Sequence, residues 1–226
     1  MLLKTGAYPR GVTWGDVIEI AGVFLVLGLY AWVAAALVSP PWGARGSTGP
    51  VSVLFLLAFT SYALGHGIHV AANSIHDTML ATDARDAWGL ATFWDEWMGH
   101  VPVDLARILF VMALLLLERK RAAEWRAAAP DAAASMPGSL RVLHIAGALT
   151  YGFIYFATAV EGQTVLLALP FCAALAVHGF AARSVPPASA PVRTFFTAAA
   201  LVSLLLFAIW GVWQRGFPEF TRAGVL

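Results

Sequence analysis

The sequence predicts an all-α fold, a polytopic membrane helix bundle of about six transmembrane helices, and three observations carry that expectation. Its residues are 60% hydrophobic and only 12% charged. The mean hydropathy is +0.75. The apolar residues gather in uncharged runs that reach the roughly 20 residues a helix needs to cross the hydrocarbon core of a bilayer.

The expected spans are residues 17–38, 51–73, 96–117, 140–160, 163–182 and 193–213, one transmembrane domain over residues 1–226. Lys4 and Arg10 precede the first run as they would in a signal peptide. However, Asp16 and Glu19 interrupt its boundary and the run to Val38 is too long for an h-region, so it is read as a retained span. Pro40, Pro41, Gly43, Gly46, Gly49 and Pro50 break the chain before the second span. The segment 74–95, with Asp77, Asp83, Asp86 and Asp95, reads as a solvated acidic loop, a lid or an interfacial helix. Residues 118–139 are basic at their start and then alanine-rich. A tight reversal at 161–163 makes spans four and five an antiparallel hairpin, and the prolines of 183–191 end the fifth. Trp14, Trp42, Trp88, Trp94, Trp97, Trp210 and Trp213 lie near span ends, where interfacial anchors belong.

Basic residues orient the bundle. Arg45, Arg119, Lys120, Arg121, Arg126, Arg141, Arg183 and Arg193 fall on one side, against Lys4, Arg10, Arg85, Arg215 and Arg222 on the other. The positive-inside rule then places both termini on the outer side of a bacterial-type cytoplasmic membrane. A net charge of +1 without a basic stripe gives no argument for nucleic acid as a partner. Cys172 is the only cysteine, which excludes an internal disulfide and a CxxC metal site.

Residues 64–104 hold four of the six histidines and six of the thirteen carboxylates of the chain, so they are where chemistry is expected. At about 100° per residue, His66, His69, Asn73, His76 and Asp77 project within an arc of about 100° on an α-helix. Glu96, His100, Asp104 and Arg107 share a face of the next span at spacings of three and four. Ionisable side chains within membrane spans are costly, and their presence is a functional hypothesis. Histidines at i and i+3, facing a carboxylate and a histidine at i and i+4, are how helical bundles hold zinc or carboxylate-bridged iron. The expected metal ligands are His66, His69, His100 and Glu96, completed by His76 or Glu161. Gly65 and Gly67 flank His66 and leave room for a close helix or ligand, and Pro102 is placed to kink the third span.

Three functions follow as expectations. The first is a membrane metalloenzyme with a transition metal (zinc, iron or copper) near the outer leaflet, acting on a lipid or small apolar substrate drawn from the lipid bilayer. Zinc would give hydrolysis and iron or copper oxidation. Glu96, Asp95 and Glu161 are the candidate catalytic carboxylates, and Arg107 and Asn73 the candidates for holding an anionic or polar group beside the metal. Arg107 and Asp104 equally read as a neutralising pair. The second is a proton or metal-ion permease using the same ladder, although the last two spans are almost wholly apolar. The third is a haem-binding or accessory subunit of a membrane complex, with His144 and His178 as haem ligands.

The Asp95–Glu96 pair opening a span, after a histidine-bearing helix, resembles the alkaline ceramidases and related seven-helix zinc hydrolases over about 40 residues. The last span, VRTFFTAAALVSLLLFAIWGVWQ, lacks that family's HxxxH histidines, and six spans differ from seven. The histidine boxes of membrane desaturases and the last-helix lysine of retinal proteins are also absent from the sequence. No family is assigned on these residues.

Overall fold

Apolar runs of this length can satisfy their backbone groups only within each segment, and helices form throughout. The computed structural model describes residues 14–38, 49–79, 85–128, 138–182 and 190–225. In chain order these are α1 (Trp14–Val38), α2 (Gly49–Met79), α3 (Arg85–Phe93), a π-helical turn (Trp94–His100), α4 (Val101–Ala128), α5 (Gly138–Glu161), α6 (Val165–Ala181) and α7 (Pro191–Gln214). No strand occurs among the described residues.

Among the described residues, five stretches are long and apolar enough to cross a membrane: Val17–Ala35, Gly49–Ile75, Gly89–Arg121, Gly138–Glu161 and Pro191–Gln214. The expected span at 163–182 forms instead as the 17-residue α6. At 1.5 Å per residue α6 is about 25 Å long, at the short end of the roughly 17–25 residues of spanning helices. Its length is set at one end by the Gly162–Thr164 turn, where Gln163 takes a left-handed φ of 52°. At the other end the Ala182 amide donates to the carbonyls that close the helix. A shared side for the two termini therefore depends on α6 crossing.

Helix also extends into 118–139 and into the acidic segment 74–95, for which an interfacial helix was one of the expectations. α2 continues to Met79 and α3 occupies 85–93, so most of the acidic segment 74–95 is helical. α4 runs to Ala128 and carries the basic cluster of Arg119, Lys120, Arg121 and Arg126 on a helix. The proline-rich breakers at 40–50 and 183–191 lie largely outside the described residues.

The chain packs as two groups of residues, 1–33 with 55–110, and 34–54 with 111–226. The core of the first is Ala58, Tyr62, Val103, Ala106 and Phe110, covered by Val23, Val26, Leu27 and Tyr30 of α1 and by Phe55 and Phe59 of α2. Phe110, fully buried, stacks on Tyr30 with ring centroids 4.1 Å apart and meets Phe59 edge-on at 5.0 Å. The opposite face of α1 presents Phe24, Leu25, Leu29 and Trp32 outward, an apolar surface suited to lipid tails.

In the second group α5 and α7 approach closely at Gly152, where a Cβ would stand 2.5 Å from the Ala199 carbonyl oxygen. The Ser203 hydroxyl lies 2.8 Å from the Gly152 carbonyl oxygen across that contact. Glu118 of α4 is buried, and its two carboxylate oxygens accept the Val192 and Arg193 amides at 2.6 and 2.8 Å. Those amides are free ends of α7, which begins at Pro191, so one carboxylate satisfies two orphan donors and complements the helix dipole. Glu118→Ala is expected to lower stability by about 1–3 kcal/mol, read as thermal unfolding in detergent.

Candidate metal centre

The site is assembled from α2, the π turn and α1 within the first group of residues. Tyr62, His66, His69 and Asn73 follow one another at spacings of four, three and four, which keeps them on one face of α2. The chain can bring that face onto the π turn because two buried glycines meet there. A Cβ on Gly65 would stand 2.6 Å from the Gly99 carbonyl oxygen and 2.9 Å from the Val103 nitrogen, and one on Gly99 would stand 3.0 Å from the His69 Cβ. Gly67, by contrast, is exposed with nothing within 4 Å.

The π turn changes which side chains share a face. Pro102 has no N–H for the Met98 carbonyl and its ring crowds that oxygen, which disfavours a regular α turn over Trp94–His100. The wider i→i+5 turn brings residues five apart, on well-separated faces in an α-helix, toward one face. Asp95 and His100 are five apart; Glu96 and His100, four apart, would have matched in an α-helix.

His69 Nδ1 lies 2.5 Å from Asp95 Oδ1, and His100 Nε2 lies 4.0 Å from the same oxygen. The rings of His69 and His100 are 4.5 Å apart, centroid to centroid. One ligand atom from each of His69, Asp95 and His100 falls within 4.8 Å of the other two. For comparison, a tetrahedral ion with bonds of about 2.0–2.1 Å separates its ligand atoms by roughly 3.3 Å. Small side-chain adjustments therefore suffice to close the three around one ion. On its far side, His69 Nε2 faces Glu19 Oε2 of α1 at 3.5 Å.

One turn further into the span the polarity continues and then stops. Arg107 Nη1 donates to Asp104 Oδ1 at 2.7 Å, and Asp104 is 2% exposed. The ring of His66 lies against Tyr62, 4.5 Å between centroids. Neither of its nitrogens has a hydrogen-bond partner among the described residues. Beyond this layer stands the aromatic cluster around Phe110, 6.4 Å from the Tyr62 ring.

The expected site residues are thus only partly brought together. His69 and His100 converge, and the carboxylate that joins them is Asp95, not Glu96. His66 is the neighbour of the cluster, its ring 6.5 Å from that of His69. Asn73 is half-buried one turn beyond His69, and the side chains of His76 and Asp77 lie outside the described residues. Arg107 is engaged with Asp104, as the neutralising reading expects. Glu19, which the sequence marks only as a boundary residue of the first span, carries no expected ligand role, because which face of α1 meets α2 is not written in local spacing.

Glu161 belongs to a different structure. Its carboxylate accepts the Phe220 amide at 2.9 Å and the Thr221 hydroxyl at 3.1 Å, which holds the segment after α7 against the end of α5. Trp210 Nε1 donates to the Pro218 carbonyl at 3.1 Å in the same fold-back, and the Phe220 ring packs on Trp210 at 4.7 Å. Within it, burial pushes the Glu219 carboxyl above its ordinary range, Arg222 opposes the shift and Glu161 adds to it. Glu161→Ala is expected to release this segment, seen as several-fold faster tryptic cleavage at Arg222, without altering metal binding. His144 packs its ring on Phe195 at 5.5 Å, and His178 is exposed on α6.

The chain matches no protein-family model, no curated protein and no solved structure.

Proposed function

We propose that the protein is a membrane-embedded metalloenzyme whose ion is held by His69, Asp95 and His100. The observation that carries this reading is the convergence of two imidazoles and a carboxylate to within 4.8 Å in helices apolar enough to cross a bilayer.

Charge supports it. Arg107 is matched by Asp104, so Glu19 and Asp95, on opposite nitrogens of His69, leave two carboxylates beside one imidazole, and ionised groups within a span are costly. One divalent cation offsets both. The sulfur-free donor set of two imidazoles and one carboxylate suits zinc or non-haem iron, and three protein ligands leave a coordination position open, as catalytic sites do.

When bound, zinc supplies Lewis acidity for hydrolysis of an ester or amide, and iron supplies oxidation. The chain's own residues do the rest. His69 and His100 fix the ion, Glu96 on the same π turn is assigned as general base, and Asn73 is left to contact the polar end of the substrate. Trp94, Trp97 and Met98 are exposed around the π turn, an apolar and aromatic surround that fits a lipid or small apolar molecule arriving from the bilayer. A relay across the membrane would need polar groups beyond Arg107, where Phe110 and Phe59 are packed edge to face. That favours an enzyme over a permease.

The test is protein reconstituted in liposomes and loaded separately with Zn²⁺ and Fe²⁺, with fatty-acid release and O₂ uptake both followed. One of the two activities is expected, abolished by chelation and by Asp95→Asn. A fully metal-loaded protein inert in both assays would contradict the enzyme reading.

A further inference from the structure

We infer that Glu19 of α1 is the positioning carboxylate of His69: it accepts the Nε2–H, fixes the tautomer that offers Nδ1 to the ion, and ties the first span to the site. The inference rests on the metal reading above, which counts Glu19 only as a charge, and gives that carboxylate a positioning role.

An imidazole gives an ion only one of its nitrogens, and the two point to opposite sides of the ring. On the Nδ1 side of His69 stand Asp95 Oδ1 at 2.5 Å and, 4.0 Å from that oxygen, His100 Nε2. On the Nε2 side stands Glu19 Oε2 at 3.5 Å. Two further ligand atoms gather on the first side and one on the second, so the ion belongs with Asp95 and His100. Nε2 is then left protonated, and a buried N–H needs an acceptor. Glu19 Oε2 is itself buried without a hydrogen-bond partner, and at 3.5 Å it needs only a small shift to receive that proton in a full hydrogen bond. This is the carboxylate–histidine–metal arrangement, in which the outer carboxylate orients the ring and raises its basicity. α1 also packs on this group through Val23, Val26, Leu27 and Tyr30. Glu19 is thereby a polar link through which metal occupancy bears on the first span.

The experiment is Co²⁺ titration of the full-length protein in detergent, followed by visible absorption. Wild type should bind one ion. Glu19→Ala should bind about 10–100-fold more weakly yet reach the wild-type band positions and intensities at saturation, because the ligands are unchanged. Glu19→Gln, which keeps an oxygen acceptor without the charge, should fall between. The metal-free forms of wild type and Glu19→Gln should melt together, whereas a merely structural carboxylate would lower that melting temperature and leave the Kd alone. Equal affinity in Glu19→Ala overturns the inference, as does an altered saturated spectrum, which would make Glu19 a direct ligand. Wild type that binds no Co²⁺ removes the metal reading itself and this inference with it. Should Glu19→Ala fail to fold, Glu19→Gln carries the same comparison.

Discussion

Replacing Gly65 with valine is expected to abolish metal binding while leaving the helix content unchanged. A Cβ at that position would meet the Gly99 carbonyl oxygen at 2.6 Å and the Val103 nitrogen at 2.9 Å, and both are backbone atoms that no rotamer change can move. The helices must separate, and overpacking of this kind costs about 1–3 kcal/mol before the larger valine side chain is counted. His69 sits directly across from Gly99, so the displacement falls on the ligand that touches both carboxylates. Gly67→Val is the matched control, two residues away in the same GHG sequence but facing open space. It should retain metal. Circular dichroism and metal content of the two variants decide the point, and metal retained by Gly65→Val would mean that the close approach is not needed for the site.

Asp95→Ala carries the second large effect. Its Oδ1 is the atom shared between the two histidines, 2.5 Å from one and 4.0 Å from the other, so its removal takes a ligand and leaves Glu19 as the one carboxylate beside His69. Loss of an outer-sphere carboxylate typically weakens a site about 10–100-fold, and loss of this direct ligand should exceed about 100-fold. Glu96→Ala, next in sequence, should keep the metal and lose the reaction. Competition with a chelator of known affinity measures the first, and turnover under metal saturation measures the second.

These two positions also show how far the sequence could be read. The α2 stripe was legible because it lies in an uninterrupted α-helix, where spacings of three and four translate directly into a face. The same arithmetic applied to 94–100 chose Glu96 over Asp95, because it assumed an α turn where the chain makes a π turn. The signal was present in Pro102, read as a kink, whose missing N–H and bulky ring act on the turn before it. The helical bundle itself was legible from hydropathy, while the length of α6 depended on where Gln163 and Ala182 close their turns, a matter of a few residues. Glu19 and Glu161 were beyond local reading for a common reason. Each is defined by a partner far along the chain, His69 for one and Phe220 with Thr221 for the other, and such pairings follow from tertiary packing alone.

Elemental analysis of the purified full-length protein, wild type beside His69→Ala, Asp95→Ala, His100→Ala and His66→Ala, tests the central claim most directly. The account predicts close to one zinc or iron per chain in wild type and in His66→Ala, and almost none in the other three. Wild type free of transition metal after loading, or equal metal in all five proteins, would contradict it.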